Sequence, residues 1–96
     1  MAIIETLTFR LADGVDESAF RAADHEVQTR FFSPHVGFIR RTTARGADGE
    51  WIVVTLWQAE AAAETAASAT SEPSVIAFNR CVDRSAAVLR RYSTLD

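Results

Sequence analysis

The run Glu50-Trp51-Ile52-Val53-Val54-Thr55-Leu56-Trp57 alternates over its whole length. Ile52, Val54 and Leu56 point one way, and Trp51, Val53, Thr55 and Trp57 the other, the two-residue period of a strand. Large or apolar side chains stand on both faces, so neither face reads as simply solvated. Just upstream, Gly46-Ala47-Asp48-Gly49 is a hairpin connection, with Asp and Gly supplying the positive φ values such turns need. It joins this strand to another over Gly37 to Arg45, which carries Phe38, Ile39, Thr42 and Thr43.

Working outward, Ile3 to Leu11 alternates as well, with Leu7, Phe9 and Leu11 opposite Thr6, Thr8 and Arg10. Ala12-Asp13-Gly14 turns the chain, and Asp16 or the residue before it caps a helix whose first turn holds Glu17. Phe20, Ala23, Val27 and Phe31 form the apolar stripe of that helix, predicted over Asp16 to Phe32 and stopped at Ser33-Pro34. On the other side of the hairpin, the alanine-rich run Ala59 to Thr70 predicts a second helix. Glu72-Pro73 interrupts it, and a short helical piece with Val75, Ile76 and Phe78 follows. A last strand is predicted from about Arg84 to Tyr92. The order β-α-β-β-α-β is the ferredoxin-like α+β arrangement, a four-stranded antiparallel sheet with helices on one face. All 96 residues read as one domain. An apolar sheet face without helices calls for a partner, and a second copy packed sheet to sheet gives a homodimer, a dimeric α+β barrel.

A formal charge of −3 argues against nucleic acid and anionic membranes as partners. One cysteine fits a reducing, cytoplasmic compartment. Neither a secretory signal nor a membrane-length apolar run is present. His25 and His35 lack metal-ligand spacing, and no P-loop or dinucleotide fingerprint occurs, so neither metal nor cofactor is expected. Arginines on the second and last strands raise RNA binding as a reading, but Glu50–Trp57 has no basic residue and no glycine-and-basic motif. Cys81 neighbours Arg80 and Arg84, which would lower its pKa, whereas burial would make it an inert thiol.

Asp24 is the residue that points to a function. It lies about 40° from the centre of the first helix's apolar stripe, with Gln28 one turn on. Two readings stand. In one, Asp24 enters an apolar pocket, where desolvation makes it a general base. In the other it is a carboxylate at the helix rim, ion-paired with an arginine such as Arg21 or Arg40 or solvated in a packing gap. Glu5, on the Leu7 face of its strand, is a second carboxylate that either meets Asp24 across the cavity or stays solvated. Trp57, at a strand end beside the second helix, is core or cavity wall. The candidate site is therefore Asp24 as catalytic base, with Glu5, Gln28, Phe31, Phe38, Trp57 and Phe78 contacting a small hydrophobic ligand.

Thr8-Phe9-Arg10-Leu11 before a glycine turn, Pro34-His35-Val36-Gly37-Phe38, Val54-Thr55-Leu56-Trp57 leading into the alanine-rich helix, and the closing Arg91-Tyr92 together resemble the antibiotic biosynthesis monooxygenase-like family. The resemblance implies a homodimeric α+β barrel with an aromatic- or haem-binding cavity between sheet and helices, faced by Asp24. Haem-degrading relatives carry an asparagine, a tryptophan and a histidine where the closest positions here are Leu7, Ala66 or Ala67, and Asn79 or Arg80. Haem chemistry is therefore not expected. Two function classes follow: cofactor-free oxygenation or proton transfer on an aromatic or polyketide-like compound, and non-catalytic ligand binding or interaction on the same fold.

Overall fold

A computed structural model describes residues 1–96. Strand β1 (Ile3–Arg10) leads to helix α1 (Glu17–Val27), which runs on through a wider π-helical turn, Gln28–Phe32. Strands β2 (Phe38–Arg45) and β3 (Glu50–Trp57) form the hairpin, followed by helices α2 (Glu60–Ala67) and α3 (Pro73–Arg80) and strand β4 (Val88–Ser93). The strands make one antiparallel sheet in the order β2-β3-β1-β4, the ferredoxin-like α+β topology. No helix is long and apolar enough to cross a membrane.

Local chemistry accounts for the boundaries. Asp16 caps α1 by accepting from the Ala19 amide at 2.8 Å. Asp48 (φ 57°) and Gly49 (φ 79°) close the hairpin in left-handed geometry. Helix α2 ends at Ala67, short of the predicted Thr70. The Ser68 hydroxyl donates to the Thr65 carbonyl at 2.7 Å, and such serine and threonine side chains compete with continued helix. Glu72 caps α3, accepting from the amides of Ser74 (2.8 Å) and Val75 (3.1 Å), with Pro73 in the first turn. Strand β4 starts at Val88 rather than Arg84. Asp83 accepts from the amide and hydroxyl of Ser85 at 3.0 and 2.7 Å, holding Arg84–Ala86 in a 3-10 turn.

Cross-strand pairs share a face, so the register sorts the sheet into transverse rows. On the helix-covered side, Phe9 pairs with Trp51, Leu7 with Val53 and Leu89, and Ile3 with Trp57. Between the last two of these rows runs a polar one: Arg41 opposite Thr55, Thr55 opposite Glu5, Glu5 opposite Arg91. The fully buried core divides at this row, and the half-buried Phe32 packs against both parts. One cluster joins Phe9, Trp51 and Val53 to Phe20 and Val27 of α1 and Phe78 of α3; the other joins Ile3 and Trp57 to Ala63 of α2. The larger is dense in aromatic contacts, with Phe20 4.8 Å from Trp51 and 5.7 Å from Phe78 between ring centroids. The opposite side of the sheet has no helix. It carries Ile4, Ile52, Val54 and Leu56 with the exposed Val88 and Tyr92.

Candidate functional site

A domain of this size normally has one continuous core. Here charged groups interrupt it, and between sheet and helices lies a cavity of about 450 Å³, within the range of small-molecule sites. Leu7, Leu89 and Glu5 come from the sheet floor, Ala63, Ala66 and Ala67 from α2, and Val75, Ile76 and Phe78 from α3. Alanines on α2 keep that wall thin, leaving volume that larger side chains would fill. Val27, Phe31 and Phe32 close the α1 end. Phe31 and Phe32 both reach the cavity from the π-helical turn, whose Ser33 amide bonds back to the Gln28 carbonyl at 2.9 Å. Such a turn adds a residue and shifts the phase of the helix face. The continuous helix expected to Phe32 is thus replaced by α1 and this turn.

Asp24 does not line the cavity. It stands behind Arg41, accepting from the Arg41 guanidinium at 2.8 Å and from the Thr43 hydroxyl at 3.0 Å. Its ionic partner is Arg41, while Arg21, one of the arginines expected for that role, pairs with Glu17 at 3.2 Å. Gln28 accepts a second Arg41 N–H at 3.2 Å. The Arg41 side chain is only 2% exposed, its guanidinium carbon 4.7 Å from the centre of the Phe32 ring and 5.4 Å from that of Phe78. Burial pushes the Arg41 pKa below its usual value, and the Asp24 charge and hydrogen bond oppose the shift. It stays a cation. Arg41 borders a smaller space of about 60 Å³ beside the cavity, whose lining also includes Glu5, Phe32 and Phe78.

Glu5 lies on the cavity wall, held by Arg91 at 2.8 Å rather than meeting Asp24. Phe31, Trp57 and Phe78 line the wall too, whereas Phe38 packs on Trp57 and Phe32 (ring centroids 6.0 and 6.2 Å) without lining the cavity. The His35 ring stands edge-on to Trp57 at 5.4 Å. Two buried donors have no acceptor within the protein: the indole N–H of Trp57 and Nε of Arg41. No cluster of three histidine, cysteine or acidic residues is placed to hold a metal ion. Burial raises the pKa of the Cys81 thiol, favouring the inert reading.

Sequence reasoning missed Arg41 and, on the cavity wall, Phe32, Leu7, Leu89, the α2 alanines, Val75, Ile76, Arg80 and Arg84. A signal for Arg41 existed, since neighbours on a strand face opposite ways and one of Arg40 and Arg41 had to face the helices.

No family model and no curated protein matches this chain. Solved structures do. The cofactor-independent oxygenase SnoaB from Streptomyces nogalater is similar at a TM-score of 0.81 and 15% identity, over 99% of this chain and 94% of that one. A Caulobacter crescentus CB15 protein provisionally assigned as an antibiotic biosynthesis monooxygenase is similar at a TM-score of 0.81 and 12% identity, over 99% and 91%. Rv0793 from Mycobacterium tuberculosis is similar at 0.73 and 16%, over 100% and 97%. The chain thus has the fold of the antibiotic biosynthesis monooxygenase-like proteins.

Proposed function

We propose that this protein is a small homodimeric enzyme that oxygenates a hydrophobic aromatic, polyketide-like compound without a cofactor. The observation that carries the reading is the aromatic-walled cavity lined by one member of the sheet's polar row, Glu5, with Arg41 of the same row bordering the small space beside it. With no metal or flavin in the reaction, the electrons that reduce O2 must come from the substrate. A CH acid such as an anthrone first loses a proton to a base. Its carbanion electron pair then forms the C–O bond to O2, and the hydroperoxide eliminates water to leave a carbonyl. Such chemistry needs a base at the cavity wall and a positive charge where negative charge develops. Glu5 is the carboxylate on the wall, and Arg41 is the buried cation beside it. Asp24 then acts as the residue positioning Arg41. Anthrone turnover to anthraquinone above the buffer rate, lost in Glu5→Gln with binding retained, is the expected result. Binding without turnover sinks the enzymatic reading.

A second reading, a non-catalytic binding module, is favoured by a specific observation: arginines already engage both Glu5 and Asp24. The same assay separates the two. Dimerisation through the uncovered sheet face is part of the proposal, since Ile4, Ile52, Val54, Leu56 and Val88 lie on one side that no helix covers. Sedimentation should give twice 10.5 kDa at micromolar concentration. A stable monomer sinks this part.

A further inference from the structure

Resting on the cavity-binding reading above, we infer that the preferred ligand carries a carboxylate, set at the cavity rim between Arg80 and Arg84 while its aromatic body lies among Phe31, Trp57 and Phe78. Charge accounting around the cavity leads there. Glu5 is neutralised by Arg91, and the nearby Arg41 by Asp24. Five arginines in all are held in ion pairs. Arg80, at the end of α3, and Arg84, in the turn that follows Asp83, border the cavity and have no acidic partner. The nearest acid in the chain, Asp83, turns its Oδ1 to the Ser85 amide and hydroxyl and forms no ion pair with either arginine. In a chain of net charge −3, two unpaired cations therefore border one largely apolar chamber. An apolar body with an anionic end matches both parts, and guanidinium groups recognise carboxylates by paired, charge-assisted hydrogen bonds. Both arginines are exposed, so the preference is moderate in size and sensitive to salt.

The test compares anthracene-2-carboxylate with anthracene-2-carboxamide, a neutral probe of the same shape, by quenching of tryptophan fluorescence. The expected result is about fivefold tighter binding of the carboxylate at low salt, shrinking as ionic strength rises. In the double variant Arg80→Gln/Arg84→Gln that difference should vanish while carboxamide affinity stays unchanged. Equal binding of both probes by the unaltered protein overturns the acid preference and leaves the cavity reading standing. A double variant that weakens both probes alike overturns the role of the arginines. Failure of both probes to bind overturns this inference together with the cavity reading.

Discussion

Removing the Asp24 carboxylate should unmask a buried cation. Arg41 is 2% exposed and its pairing with Asp24 is direct, at 2.8 Å. Losing one member of a fully buried pair costs about 3–5 kcal/mol, mostly through the charge left behind. The Asp24 side chain is 21% exposed, so water can partly replace it, and Gln28 still accepts one Arg41 N–H. Asp24→Ala should therefore cost about 2–3 kcal/mol, below that range after the discount for exposure. Asp24→Asn retains a carbonyl acceptor for Arg41 and Thr43 and should cost about 1–2 kcal/mol. For a domain of this length, the Ala variant should melt about 10–20 °C lower. The control is Asp24→Leu/Arg41→Met, which replaces the pair by apolar groups and should recover most of the loss. Urea midpoints at one protein concentration for Asp24→Leu, Arg41→Met and the double variant, assembled as a double-mutant cycle, measure the coupling. A neutral or stabilising Asp24→Asn, or a double variant no better than Asp24→Ala, would refute the argument.

Other outcomes follow from single features. The Ser74 hydroxyl, chiefly, holds the Glu72 carboxyl below its usual pKa. The capping contribution is thus complete above the unfolded carboxyl pKa and lost as pH falls through the lower folded value. NMR titration should show the Glu72 midpoint rising in Ser74→Ala; an unchanged midpoint contradicts this. Cys81, its pKa raised by burial, should react with iodoacetamide near neutral pH only after denaturation, and rapid native labelling would contradict that. Gly37 has φ +88°, and an added Cβ would lie 2.5 Å from the Ala62 Cβ of α2. Gly37→Ala should lower stability by about 1–3 kcal/mol in chemical denaturation, and an unchanged urea midpoint would remove that account.

The sheet was legible wherever one face had to be buried. The alternation of Glu50–Trp57 placed Trp51, Val53, Thr55 and Trp57 together, and all four are buried on the helix-covered side. Helix phase brought Asp24 to notice, but what it binds depends on where β2 lies beneath α1, and helical periodicity does not encode that. Arg41 therefore appeared as one of two adjacent arginines. The π-helical turn leaves no periodic trace either, because it changes the period within five residues, Gln28–Phe32. Phe31, Phe78 and Trp57 were legible as cavity candidates because large aromatics near a strand end or a short helix have few other places to go. Phe38 was grouped with them on residue type alone, and its ring fills the space against Trp57.

The division of the core at the Arg41–Thr55–Glu5–Arg91 row has a practical corollary. An aromatic guest in the chamber would touch Trp57 and Phe78 together and thereby reinforce the single bridge that Phe32 makes between the two hydrophobic clusters. Any compound that fits would register as a rise in melting temperature, worth about 2.7 kcal/mol at a hundredfold excess over its dissociation constant. Heat resistance then serves as a spectrometer for ligands: a library sorted by thermal shift ranks chemistries by how well they complete the interior, with no substrate named in advance.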